Sequence, residues 1–259
     1  MNKSFLAVFS MLCFGFCLQA QPYDAGQFQY QGQVLPYRFL KPEGFQGQKL
    51  PLVIFLHGAG ERGADNQRQL THGSELFSDS IEQYPALVIF PQCREDAFWP
   101  NGQIETNENG RVFHFEKDLL PNSPLHLVDL MIDSLIATGE IDERRIYVGG
   151  LSMGGMGTYN LVAGNPDLFA AAFAICSGGN AEAAVRYARN TPFWIFHGAK
   201  DDVVLINYSI AMSEAISAAG GDPIFTTYPQ ANHNSWDSAF AETELLKWLF
   251  SHSQTRTKP

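Results

Sequence analysis

Short apolar runs alternate with amphipathic segments from residue 50 onward. Six runs are rich in β-branched and aromatic residues without polar alternation, which is typical of strands buried on both faces. The segments between them carry apolar residues at helical spacing. This alternation predicts an α/β fold, with a mostly parallel central sheet and helices on both faces. The predicted strands are Leu52–Leu56, Leu87–Phe90, Ile146–Val148, Ala171–Ile175, Phe193–Phe196 and Ile224–Tyr228.

Three helices can be predicted from their ends. Ser123 and Pro124 form a favourable N-cap and first-turn pair, and the helical spacing after them stops at Gly139. A second helix is predicted from 205 to 219, where two glycines follow it. A third is predicted from 239 to 250.

Two parts of the chain depart from this alternation. Phe28–Tyr30 and Leu35–Leu40 predict a short antiparallel lead-in at one edge of the sheet. The connection from Cys93 to Asn122 shows no clear secondary structure and follows a strand, which places it over the carboxyl edge of the sheet. It is either a wall or lid over a ligand, or a loop that packs its aromatic residues on the body. We expect Trp99, whose large amphipathic ring suits the edge of a site, to touch the ligand.

The strand that begins at Ile146 leads into Gly150-Leu-Ser152-Met-Gly154 and then into a helical segment. A Gly-x-Ser-x-Gly sequence between a strand and a helix predicts a tight turn, which strains the serine backbone and holds its Oγ above the sheet. A Cβ at either flanking glycine would collide with a neighbouring strand or helix. Ser152 is therefore a candidate nucleophile, and the alternative is a structural turn.

A serine hydroxyl needs a base, and that base needs an orienting acid. The loop after the strand at 193–196 contains Asp201 and Asp202, of which Asp201 is the chosen candidate and Asp202 its rival. His233 lies in the loop between the last strand and the last helix, from which it can reach the serine. The order serine, aspartate, histidine is the one found in α/β-hydrolases.

An oxyanion hole would need two backbone amides. The residue after the nucleophile supplies one, here Met153, and the loop after an early strand supplies the other. In that loop Gly58 and Gly60 should allow the backbone to turn its amides inward. Ala59 is the predicted second donor, with Gly60 as the alternative.

The remaining histidines and cysteines predict neither a metal site nor a cofactor. His57 and His197 precede glycines at strand ends, where we expect them to brace loops. No pairing and no metal-ligand spacing is visible for the others, which are His72, His114, His126 and His252. Cys93 and Cys176 follow strands that we place apart in the sheet, so we expect free, mostly buried thiols.

The first twenty residues have the features of a secretory signal peptide. Lys3 supplies a positive charge, Phe5–Leu18 is apolar but short for a membrane span, and Ala20 is small. We expect residues 21–259 to form one catalytic domain that is exported to the periplasm or the extracellular space, without stable membrane insertion. An uncleaved membrane anchor is the alternative. The formal net charge of −10 and the lack of a basic cluster disfavour nucleic acid as a partner.

As a set, these motifs resemble the "predicted peptidase" and esterase branch of the α/β-hydrolase superfamily. This branch is near the phospholipase/carboxylesterase, polyhydroxybutyrate-depolymerase-like and feruloyl-esterase-like families. The resemblance implies an α/β-hydrolase fold and a Ser152–Asp201–His233 triad. It is carried by 56–63 with Asp65-Asn66, Pro91-Gln92-Cys93, 141–147, 150–155, His197-Gly198 with Asp201, and His233 with Trp236-Asp237.

The sequence therefore predicts an exported, metal-independent carboxylic-ester hydrolase that uses a serine triad. Its substrate would be a small or polysaccharide-linked ester, with feruloyl and acetyl esters as candidates. Gly60, Trp99 and Trp236 are the candidate substrate contacts. The alternatives are a peptidase with the same triad, a polyester depolymerase, and an inactive homologue that binds a ligand.

Overall fold

The computed structural model describes residues 22–45, 47–100, 102–108, 110–121 and 123–255. The signal peptide predicted for residues 1–20 and the expected mature N-terminus at Gln21 lie outside these ranges.

The described residues form ten strands and six α-helices. The strands are β1 (Asp24–Tyr30), β2 (Gln33–Leu40), β3 (Leu50–Leu56), β4 (Leu87–Pro91), β5 (Gly102–Asn107), β6 (Gly110–Phe115), β7 (Ile141–Leu151), β8 (Ala171–Ile175), β9 (Phe193–Gly198) and β10 (Ile224–Tyr228). The helices are α1 (Ser74–Ser78), α2 (Pro124–Ala137), α3 (Met153–Gly164), α4 (Asn207–Ala218), α5 (Trp236–Phe240) and α6 (Leu245–Ser251).

Eight of these strands form one sheet in the order β1-β2-β4-β3-β7-β8-β9-β10. The six strands from β4 to β10 in this order are parallel, whereas β1 and β2 are antiparallel to their neighbours. The mostly parallel sheet and the antiparallel lead-in at one edge are thus confirmed. Because β3, β7, β9 and β10 end at the same edge, the loops that follow them meet there.

Apolar side chains fill both faces of the sheet. One core cluster contains Leu127 of α2, Tyr159 of α3 and Met212 of α4. The other contains Phe77 of α1 and Leu249 of α6. The helices therefore cover both faces, which explains why β3 and β8 are buried along their whole length and read as continuous apolar runs.

Most of the predicted elements are observed. The predicted bounds of β8 and β10 match those found, and α2 begins after Ser123, whose Oγ accepts a hydrogen bond from the amide of His126 at 3.1 Å. Helix α4 begins at Asn207, two residues later than predicted.

The single helix predicted from 239 to 250 is wrong. The chain forms α5 and α6 instead, separated by a turn at residues 241–244. In this turn Glu242 accepts a hydrogen bond from the hydroxyl of Tyr228 at 3.0 Å. The apolar residues keep a helical spacing across this turn because α5 and α6 pack on the same face of the sheet.

The prediction that 93–122 lacks secondary structure is also wrong. Strands β5 and β6 pair as an antiparallel hairpin outside the main sheet. This hairpin was missed because much of it is exposed, so it lacks the continuous apolar run of a buried strand. Among the described residues, no helix has both the length and the apolar character needed to cross a membrane.

Candidate active site

Ser152 occupies the turn between β7 and α3. Its backbone has φ 52° and ψ −119°, an unfavourable conformation for a residue with a Cβ. The Ser152 amide donates to the carbonyl of Ile175 on β8 at 2.8 Å, which ties the turn to the sheet. The strained turn predicted from the sequence is therefore present.

Two glycines allow this turn to pack closely. A Cβ at Gly154 would overlap the carbonyl oxygen of Leu56 at the end of β3. One at Gly150 would lie 2.6 Å from the same oxygen and 2.5 Å from the carbonyl carbon of Gly154. The predicted collisions are thus confirmed. Because neither glycine carries a Cβ, the first turn of α3 can pack directly against the end of β3.

His233 follows β10 and reaches the serine. Its Nε2 lies 2.9 Å from Ser152 Oγ, and its Nδ1 lies 2.8 Å from Asp201 Oδ2. The Nδ1 atom carries a proton because it faces a carboxylate, which leaves Nε2 to accept the serine proton. The histidine ring is partly exposed, whereas the Asp201 carboxylate behind it is fully buried.

The Asp201 carboxylate has partners on both oxygens. Oδ1 accepts the amides of Val203 and Val204, each at 2.9 Å, and Oδ2 also lies 3.2 Å from Nε2 of His197. Burial alone would raise the pKa of Asp201, but the hydrogen bonds from His197, His233 and Val204 hold it well below its usual range. Asp202, the rival candidate, is exposed.

His197 is a site residue whose role the sequence did not reveal. It was expected to brace a loop, and it does so through Val204 O, 2.8 Å from its Nε2, and Ser209 Oγ, 2.7 Å from its Nδ1. It also shares Oδ2 of Asp201 with His233, and its side chain is fully buried. Two signals were available: its position four residues before Asp201, and the His197-Gly198 pair that forms part of the resemblance described above.

The loop after β3 runs beside Ser152. A Cβ at Gly58 would lie 3.7 Å from the Cβ of Ser152, an ordinary contact, and would require the side-chain ends of Leu151 and Glu61 to shift. A Cβ at Gly60 would meet no neighbour within 4 Å, and its φ is not in the positive range. The expectation that the backbone requires a glycine at position 60 to turn its amides inward is therefore wrong. Ala59 begins a short 3₁₀ helix in this loop, and Met153 begins α3.

Two charged side chains fix this loop. Burial raises the pKa of the Glu61 carboxyl, while His72 and the backbone amides of Gly58 and Glu61 act in the opposite direction. Arg62 Nε donates to the carbonyl of Ala59 at 2.9 Å. The loop that carries the candidate oxyanion donor is thus held from both sides.

The expectation that Trp99 touches a ligand is wrong. Its side chain is fully buried, and its Nε1 donates to the carbonyl of His57 at 3.1 Å. The ring packs on the His57 imidazole with centroids 5.2 Å apart. Trp99 therefore supports the loop after β3 from below instead of lining the site.

Trp236 lies at the edge of the site. Its ring is partly buried and packs against His233, with centroids 5.5 Å apart, and against His72 at 5.1 Å. His72 was expected to have no partner, but it also lies 3.8 Å from the Glu61 carboxylate. His114 likewise lies 3.6 Å from Glu105. Trp236 and His72 form one wall beside the histidine of the site.

Both described cysteines are free and buried, as expected. Contrary to expectation, Cys176 has possible metal ligands nearby, since one ligand atom each of Cys176, Asp201 and His233 lie within 4.8 Å of one another. The 2.8 Å hydrogen bond between His233 and Asp201 would have to break to admit an ion. Burial also raises the pKa of the Cys176 thiol, which disfavours the thiolate that binds metals. We therefore assign these donors to the arrangement around Ser152.

A strained serine after the central strand, with a histidine in reach, on a mostly parallel sheet, is the arrangement of the α/β-hydrolase fold. The chain belongs to the phospholipase/carboxylesterase family, whose model matches residues 45–247.

Individual relatives support the same branch. The chain is 41% identical over 158 residues to the bifunctional acetylxylan esterase/xylanase XynS20E of Neocallimastix patriciarum, a match that covers 61% of this chain and 20% of that protein. It is 26% identical over 235 residues to the lysophospholipase-like protein 1 of Mus musculus, covering 84% of this chain and 92% of that protein.

Among solved structures, a thermostable esterase superposes with a TM-score of 0.78 at 34% identity. This superposition covers 90% of the present chain and 64% of that esterase. The chain therefore spans a fifth of the xylanase-linked relative and just under two thirds of the esterase.

Proposed function

We propose that this protein is an exported carboxylic-ester hydrolase that works through a Ser152–His233–Asp201 triad and an acyl-enzyme. The observation that carries the proposal is the pair of short contacts at His233, 2.9 Å to the Ser152 hydroxyl and 2.8 Å to the Asp201 carboxylate. The strained serine turn supports it further, because such a turn presents Oγ to a ligand.

The geometry supports the following sequence of steps. His233 takes the hydroxyl proton of Ser152 as Oγ attacks the acyl carbon, and Asp201 stabilises the resulting imidazolium. The amides of Met153 and Ala59 stabilise the tetrahedral oxyanion. His233 then gives its proton to the leaving alcohol, and it later activates the water that releases the acid.

The proposed substrates are acetyl or feruloyl esters carried by polysaccharides. The similarity to XynS20E, an acetylxylan esterase/xylanase, supports this choice. The expected export signal supports it too, because such polymers lie outside the cell.

The test is a comparison of wild type with Ser152→Ala on acetylated xylan, feruloylated oligosaccharides, aryl esters, a polyester and peptide anilides. We expect wild type to cleave esters faster than anilides, and Ser152→Ala to lose at least roughly 1,000-fold in kcat. A fluorophosphonate should label wild type at Ser152. Unchanged activity of Ser152→Ala, or faster anilide cleavage, would contradict the proposal.

A further inference from the structure

An apolar pocket lies between the β5–β6 hairpin and the first turns of α3. Its volume is about 260 Å³, and its apolar lining includes Phe98, Ile104, Phe113, Phe115 and Met156. Phe98 and Ile104 are 40% and 44% exposed, and together with the other apolar lining residues they form one contiguous apolar surface that is open to a ligand. The mechanism proposed above does not use this pocket.

Two structural links connect the pocket to the reacting serine. Met156 lies one helical turn after Ser152, and its amide donates to the serine carbonyl at 3.0 Å. On the other side, the Arg62 guanidinium lies 4.4 Å from the ring centre of Phe98 while its Nε donates to Ala59 O. The pocket is therefore attached to both the nucleophile turn and the loop of the candidate oxyanion donor.

The inner wall of the pocket is held in place. The rings of Phe113 and Phe115 are parallel within 4°, with centroids 6.1 Å apart, and the Tyr208 ring meets both edge-on. The amide of Phe113 donates to the Tyr208 hydroxyl at 3.0 Å, and Asn180 Nδ2 donates to the carbonyl of Phe115 at 2.7 Å. Strand β6 thus presents a preformed aromatic wall to the pocket.

The chemistry of the ester decides which part of the substrate this pocket receives. The alcohol must lie beside His233, because this histidine protonates the departing oxygen. Trp236 packs on His233, and it belongs to the face of the sheet covered by α5 and α6. The hairpin pocket lies against α3, which covers the other face. The acyl group therefore points toward the pocket and the alcohol toward Trp236.

We infer that this pocket is the acyl subsite, and that it takes a planar aromatic acyl group of cinnamoyl size. Flat rings stack or pack edge-on against the faces of Phe113 and Phe115. This inference rests on the proposed triad, and it assigns the acyl specificity of the same site to the hairpin.

The experiment fills the pocket without touching the triad. Ile104→Trp adds a large ring at a half-exposed lining position, so it should not affect folding. Ile224→Trp is the matched control, an isoleucine on a strand with 40% exposure that does not line this pocket. The three proteins are assayed on methyl cinnamate, which has its ring on the acyl side, on phenyl acetate, which has it on the alcohol side, and on methyl octanoate.

We expect Ile104→Trp to lower kcat/KM for methyl cinnamate by about tenfold or more, which is the usual scale of changes in pocket shape. The kcat/KM for phenyl acetate should stay within about twofold of wild type. Ile224→Trp should leave both unchanged. Selective loss on phenyl acetate would overturn the acyl assignment, and equal losses on methyl cinnamate and methyl octanoate would overturn the aromatic class. No selective loss would reject the subsite. Wild type that cleaves none of the esters and is not labelled at Ser152 would instead refute the proposed function.

Discussion

At residue 201 four hydrogen-bond donors converge on one buried carboxylate. The amides of Val203 and Val204 hold Oδ1, and the imidazoles of His197 and His233 hold Oδ2. A buried carboxylate without such partners would take up a proton, whereas this one has a lowered pKa and stays ionised. The same donors fix its orientation, so it can align His233 with Ser152.

The neighbouring aspartates provide a matched pair of variants. Asp201→Asn should lower kcat by roughly 10⁴-fold, as in serine proteases, because an amide stabilises the wrong tautomer of the histidine. Asp202→Asn changes an exposed residue and should leave kcat within about twofold. Steady-state kinetics on an aryl ester distinguish them. If Asp202→Asn proved the more damaging, the acid would have to be reassigned.

His197 should act as a positioning residue. His197→Leu removes one donor to the charged carboxylate, an interaction of roughly 1.5–3 kcal/mol, and should lower kcat by about tenfold. Asp201 would then attract the His233 proton more strongly, which moves the acid limb of the kcat/KM profile to higher pH. His197→Gln keeps a donor, so it should partly restore both kcat and the position of the acid limb. A lowered kcat with an unmoved acid limb would indicate a structural role alone.

At the scale of elements, the contact between β3 and α3 determines where the serine stands. The first turn of the helix lies directly against the carbonyl of Leu56, and the glycine at 154 is required because a Cβ would occupy the same space. The loop after β3 then passes beside the serine at Gly58. Contacts of the Glu61 carboxyl with the Gly58 amide and of Arg62 with the Ala59 carbonyl hold this loop in place. The candidate nucleophile and the candidate oxyanion donor are thus positioned by one packing contact.

Two glycine-to-alanine changes test this contact. Gly154→Ala should destabilise the fold by roughly 1–3 kcal/mol and reduce activity strongly, because the added methyl overlaps backbone atoms. Gly60→Ala meets open space and should raise the free energy of unfolding by about 0.4–1 kcal/mol. Urea unfolding measures both. Equal changes in the stability of the two variants would show that α3 can move away from β3 at little cost.

At the scale of the whole molecule, His57 joins the ends of two strands to the connection that leads to the hairpin. Its Nε2 accepts from the amide of Cys93 at 3.0 Å, and its Nδ1 donates to the carbonyl of Gly58 at 2.6 Å. The carbonyl of His57 accepts from the indole of Trp99. Burial lowers the pKa of His57 to about 4; Arg62 acts in the same direction and the hydrogen bond to Gly58 opposes it.

This neutral histidine predicts a loss of stability in acid. The unfolded chain takes up a proton at His57 near pH 6.5, whereas the folded protein does so only near pH 4. The contribution of His57 to the free energy of unfolding is therefore fully present above about pH 6.5. It falls as the pH drops toward 4, by about 3 kcal/mol in total. His57→Gln should show a smaller loss over the same window in denaturant unfolding. Identical pH dependence in both proteins would remove His57 as the cause.

Much of the fold follows from local rules. Strands buried on both faces leave continuous apolar runs, and helix ends leave caps, so β8, β10 and α2 could be located from residues close in sequence. The hairpin of β5 and β6 could not, because it is largely exposed and the hydrogen bonds that dock it come from Tyr208 and Asn180, far along the chain. Exposed strands carry only a weak periodic signal.

The sequence by itself determined the α/β alternation, the strained turn at Ser152 and the candidate partners His233 and Asp201, because each depends on residue type and on position relative to a strand. Only the tertiary structure decided that Trp99 is a buried support, that His197 joins the carboxylate of Asp201, and that the hairpin forms an aromatic pocket. These features depend on distances between segments that are remote in sequence, and such distances are set when the helices and loops pack on the sheet.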